Sequence, residues 1–137
     1  MSPHKNKTLA TLLALLFGSI GLHRFYLYGR RDVWGWVHLA TLPLSALLVL
    51  GNPDAALIFS AGPLVLSVLA GFLETLVIGV TPDEKWDAHH NAGSGKLSNT
   101  RWPVPLMLVL ALGTGATALI AAIARTFDIL LTGGSYG

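Results

Sequence analysis

Residues 8–29 read TLATLLALLFGSIGLHRFYLYG. From Thr8 to Leu22 the run carries no charge, and it then meets His23 and Arg24. A cation just inside the end of an apolar membrane helix is costly and needs a partner or a task. The stretch therefore fixes lipid as the solvent before it says anything about chemistry.

The rest of the chain agrees. It has 137 residues, of which 53% are hydrophobic and 12% charged, against roughly 25% charged in soluble domains. Too little charge is available to cover a soluble core of this size. Val33–Pro53 carries no charge apart from His38, and Ala55–Leu73 and Trp102–Ala124 carry none. Each is close to the ~20 residues that cross a bilayer core. Four spans are expected, at about Leu9–Tyr28, Val33–Leu50, Ala55–Val80 and Val104–Leu131. Lipid forces such segments to be helices or a closed barrel. Continuous rather than alternating hydrophobicity excludes the barrel. A cleaved signal peptide is disfavoured: Lys5 and Lys7 precede an apolar run, but Arg24-Phe25-Tyr26 follows it instead of a small-residue cleavage site. There are no cysteines, so disulfide and thiolate chemistry is excluded.

The fold class expected is an all-α integral membrane bundle of four transmembrane helices. Residues 1–137 form one membrane domain, with 81–101 a cytoplasmic loop and 102–131 an additional C-terminal helix. Thr81, Pro82 and Glu84 form a capping-box pattern, which predicts a short interfacial helix over Pro82–His90 anchored by Trp86. Asn91–Gly95 reads as a flexible connector. Pro43 and Pro63 are expected to kink the second and third spans. Four spans put both termini on one face. Six Lys and Arg fall in the loops of one side against three on the other, so the positive-inside rule places both termini outside the cytoplasm. Tyr26, Trp34, Trp36, Trp86 and Trp102 cluster near the expected inner interface as anchors.

Small residues mark helix contacts in lipid. Ala10, Ala14, Gly18 and Gly21 make one such stripe. Ser67, Ala70 and Gly71 make another, which runs into Glu74. Arg24 and Glu74 lie at similar depths, counted at 3.6 residues per turn. Their opposite charges predict an ion pair or close network, joined by His23 or His38. Arg125 and Asp128 form a local pair at the outer end.

Residues 7–29 resemble the TM-two domain family, a two-transmembrane-helix module. The matching residues are Lys7, Leu13, Leu16, Gly18, Gly21, His23, Arg24, Phe25, Tyr26, Leu27 and Gly29, with Tyr28 inserted before the glycine and Gly35 in the second-helix glycine position. The resemblance implies an integral membrane protein with the Arg-Phe-Tyr turn on the cytoplasmic side, and supplies no reaction. On this resemblance residues 7–80 form a core in which about Leu42–Leu64 is an inserted crossing, and Glu74 closes the family's second helix. The motif and the lack of cysteines point to a bacterial inner membrane.

Other chemistry is thin. Asp83, Asp87 and His90 share a helix face and are weak candidates for a divalent metal, but no His-Glu-x-x-His signature is present. Gly93-Ser94-Gly95-Lys96 lacks Walker spacing. The net charge of +2 suits anionic headgroups rather than nucleic acid. No cofactor is expected. The leading expectation is a non-enzymatic component acting through helix or lipid contact, with membrane lipids and a homo-oligomer or membrane protein as partners. The alternatives are a small channel or transporter using His23, Arg24 and Glu74, and a metal-dependent membrane enzyme.

Overall fold

The computed structural model describes residues 3–135, and among these only helices and connecting turns occur. The helices are α1 (Lys7–Phe17), α2 (Leu22–Tyr28), α3 (Val33–Gly51), α4 (Leu57–Ser60), α5 (Gly62–Val80), α6 (Asp83–His90) and α7 (Pro103–Thr132). Three of them, α3, α5 and α7, are long and apolar enough to cross a membrane.

The first expected span is broken into two shorter helices and is not among the three long enough to cross. α1 ends at Phe17, a 3-10 turn covers Gly18–Ile20, and Gly21 adopts φ 73°. That left-handed conformation suits glycine because it carries no Cβ. There the chain reverses, and α2 runs back along α1. The return is visible in the bonds between the two ends: Lys5 Nζ donates to the Tyr26 carbonyl at 2.7 Å, and the Asn6 N–H donates to the Tyr26 hydroxyl at 2.8 Å. α1 has 11 residues, or about 17 Å at ~1.5 Å per residue, roughly half a bilayer core. The element is a helical hairpin with its tip beside the middle of α5. Backbone that breaks its helix at this depth is tolerated because it is buried in protein.

The hairpin changes the topology. Lys7 sits beside Thr81 and Asp83, at the end of α5. α7 then runs antiparallel to α5, bringing Leu108 against Gly79 and Gly115 against Phe72. The first and last described residues, Pro3 and Ser135, therefore lie toward opposite ends of the bundle. Of the four expected spans, three are helices long and apolar enough to cross, and the first apolar segment turns back.

Local expectations shift as well. The third apolar run is split: α4 is a single turn, and Pro63 opens α5, where a missing donor costs little, instead of kinking it. Pro43 does lie inside α3. The fourth span matches closely. α6 begins without a side-chain cap, because the Thr81 hydroxyl turns back to the Val77 carbonyl at 2.6 Å. Trp86 is 2% exposed, so it packs in the protein rather than anchoring in the interface, and its Nε1 donates to the Lys5 carbonyl at 3.0 Å. The Asn91–Gly95 segment is tied down at both Asn91 and Ser94, which are buried. Asn91 Oδ1 accepts from the Lys5 N–H at 2.6 Å.

Candidate functional site, a buried charge and histidine cluster

The close approach of the hairpin to α5 comes first, since it sets every distance in the cluster. Ala10, Ala14 and Gly18 are buried along α1. Gly18 faces Gly71 so tightly that a Cβ on Gly18 would lie 2.8 Å from the Gly71 Cα. Gly21 packs the same way on α3, where its Cβ would meet the Gly35 carbonyl oxygen at 2.8 Å. Small residues let backbones touch, which is how membrane helices associate without a hydrophobic drive. Ala70 is not part of the glycine contact; it lines cavities on either side of α5.

These contacts bring α2, α3 and α5 within side-chain reach of one another. Arg24 donates through Nη1 to Glu74 Oε2 at 3.0 Å. It also clamps Asp32 with two bonds, Nε to Oδ2 at 2.7 Å and Nη2 to Oδ1 at 3.2 Å. Asp32 is the N-cap of α3 and accepts from the Gly35 N–H at 2.7 Å. Paired, bidentate geometry of this kind is the strong form of a guanidinium–carboxylate contact. His23 Nε2 reaches Glu74 Oε2 at 2.7 Å, and His38 Nε2 reaches Glu74 Oε1 at 2.8 Å. One carboxylate thus joins the hairpin, α3 and α5.

Hydrogen-bond accounting fixes part of the protonation. The Ser67 hydroxyl donates to the Ser19 carbonyl at 2.5 Å. Having spent its only proton, Ser67 must accept from His38, whose Nδ1 lies 2.6 Å away. His38 therefore carries a proton on Nδ1. The contact from Nε2 to Glu74 Oε1 then holds one further proton, on either the imidazole or the carboxyl. His23 is 1% exposed, and its Nδ1 has no partner among the described residues. With Nε2–H donating to Glu74, Nδ1 is left as a bare acceptor.

The loop face above the cluster carries a second polar set. Lys7 Nζ, also buried, donates to the Thr81 carbonyl, to Asp83 Oδ1 at 3.1 Å and to Thr100 Oγ1 at 3.0 Å. The Thr100 hydroxyl and the Lys7 ammonium hold the Asp83 carboxyl below its ordinary range. Asp87 accepts from Asn91 Nδ2 at 2.7 Å, the Ser98 N–H at 2.6 Å and the Ser98 hydroxyl at 2.5 Å. Those bonds, Asn91 first, hold it at about 2. His90 stacks on Trp86 with ring centroids 4.2 Å apart, and burial lowers its pKa. Asp83, Asp87 and His90 are each engaged separately, and no group of three metal-ligating side chains forms among the described residues. Of the interface aromatics, Trp34, Trp36 and Trp102 are exposed, and Tyr26 is spent on the hairpin.

Sequence reasoning found Arg24, Glu74 and the histidines but missed Asp32 as the second acid. An aspartate capping α3 eight residues after the arginine is its only signal. Ser67 was read as a packing residue, and nothing in sequence marks it as the acceptor for His38.

Hairpin, cluster and three long apolar helices together define an integral membrane protein. Residues 3–51, which hold the hairpin and α3, match the family model of the TM2 domain. α5, with Glu74, and α7 lie beyond the matched stretch. Among curated proteins and among solved structures nothing matches the chain.

Proposed function

We propose that this chain is a non-enzymatic component of the bacterial inner membrane, in which the TM2 hairpin is seated on the helices that follow it. It works through helix and lipid contacts, with itself or another membrane protein as partner. The observation carrying this reading is the closure of the cluster: both Glu74 oxygens and both carboxylates facing Arg24 are engaged by side chains of the hairpin and α3. Charges that neutralise one another across neighbouring segments suit a lock between helices.

Orientation follows from charge. Of the nine Lys and Arg residues, only Arg125 belongs to the far end of the bundle. By the positive-inside rule the hairpin face is cytoplasmic, with the N-terminus inside and the C-terminus outside.

A second reading is favoured by one observation. Arg24 and Glu74 line both a cavity of about 460 Å³ between α2, α5 and α6 and another of about 570 Å³ between α3 and α5. A polar wall between two cavities is the arrangement a channel or transporter would use. Proteoliposomes separate the readings. No flux of protons, alkali ions or small solutes fits the lock, whereas flux lost in Glu74→Gln with the fold intact replaces it with transport.

A further inference from the structure

We propose that the cavity between α2, α5 and α6 binds the phosphate headgroup of an anionic phospholipid. The proposal rests on the membrane-component reading and names one of its lipid partners. Three observations on the cavity converge.

The first is charge. Lys85 lies on the rim, exposed, with no ion pair or hydrogen bond among the described residues. Its neighbour on the rim is His89, also exposed. The other Lys or Arg lining this cavity, Arg24, is committed to Asp32 and Glu74. An ammonium free at headgroup level attracts anionic lipid by about 1 kcal/mol.

The second is polarity. Beneath the rim Leu27, Leu73, Val77 and Ile78 make an apolar flank along α5, beside the Arg24–Glu74 pair, whose carboxylate is already neutralised by the guanidinium. Leu73 is 61% and Val77 58% exposed, so the cavity opens sideways along α5 toward the lipid phase. A ligand filling it needs an anionic head at the level of α6 and a hydrocarbon chain running along α5. Inorganic phosphate would satisfy the rim and leave the apolar wall uncovered.

The third is an orphan. His23 also lines this cavity, and its buried Nδ1 lacks a partner among the described residues.

The test is native mass spectrometry of the full chain in detergent, with phosphatidylglycerol or phosphatidylcholine added. The expected result is one retained phosphatidylglycerol, preferred over phosphatidylcholine. Lys85→Gln should weaken retention about fivefold, the equivalent of ~1 kcal/mol. Lys96→Gln, on the same face but outside the cavity, should change it little. Thermal unfolding of Lys85→Gln should match the parent protein, which separates loss of lipid from loss of fold. Equal retention of the two lipids, or equal weakening by Lys96→Gln, overturns the proposal. Displacement of the lipid by millimolar inorganic phosphate also overturns it, because the site would then be a free-anion site. None of these outcomes depends on the flux result that tests the lock.

Discussion

Replacing Gly18 by alanine tests the close approach that assembles the site. The new Cβ would stand 2.8 Å from the Gly71 Cα and 3.2 Å from its carbonyl carbon. Carbon atoms in ordinary contact sit ~3.5–4.0 Å apart, so hairpin and α5 must part by nearly 1 Å. Both sides of the contact are backbone, so no side chain can swing away to absorb it. The same displacement stretches the Ser67–Ser19 bond from 2.5 Å to beyond good O–H···O geometry. Overpacking costs about 1–3 kcal/mol and the lost bond about 1. The gain of alanine over glycine returns only about 0.5–1 kcal/mol. A net loss of roughly 1–3 kcal/mol results. Gly113→Ala is the matched control: it lies inside α7 with nothing within 4 Å of its Cβ, so it should stabilise by up to about 1 kcal/mol. Reversible SDS unfolding in mixed micelles, followed by the fluorescence of buried Trp86, reads both. Equal stability of Gly18→Ala and the parent, or equal losses at positions 18 and 113, would refute the reasoning.

Three other outcomes follow from the same geometry. Glu74→Ala strands two histidines and leaves Arg24 with Asp32 alone, and should cost about 3 kcal/mol, the low end for a broken buried pair because part of Glu74 faces a cavity; Glu74→Gln, which keeps two polar atoms in place, should cost less by the same SDS titration. Ser67→Ala removes the acceptor for His38 Nδ1 and the donor to Ser19, and should shift the His38 imidazole NMR resonances while leaving those of His89 in place. The loop clasp depends on acid: Asp87 is held at about 2, below its unfolded value of 3.8, so its contribution is complete above pH ~4 and fades as pH falls toward 2. Amide exchange at Ser98, whose N–H it accepts, should accelerate over that window in the parent and be fast throughout in Asp87→Ala.

Much of this architecture was legible in the residues, and the losses have identifiable physics. α3 and α7 were found almost to their ends because uninterrupted apolar runs of that length have one outcome in lipid. The pairing of Arg24 with Glu74 was legible because charges of opposite sign at matched depth seek each other. The hairpin was not. Lys7–Tyr28 is long enough to span, and hydropathy does not register the left-handed turn at Gly21 that halves it. The sign available was the pair Gly18 and Gly21 just before His23 and Arg24, which packs as a helix contact or breaks as a turn. Trp86 was misplaced for a related reason: an amphipathic ring near an interface reads as an anchor, and only the returning α2 and the Lys5 carbonyl give it a site inside the protein. The two acids read as metal candidates each take backbone and hydroxyl donors from the loop, Asp83 from Thr100 and Asp87 from Ser98, which spacing along α6 does not register.

The central claim is the reversal of the chain at Gly21, and side-specific labelling tests it most directly. The natural chain has no cysteine, so single cysteines at Pro3, Asn52, Asn99 and Ser135 report without background. With a membrane-impermeant maleimide on oriented vesicles, positions 3 and 99 should label from one side, and 52 and 135 from the other. Labelling of position 3 together with 52 and 135 would mean that the first segment crosses the bilayer, and would contradict the hairpin.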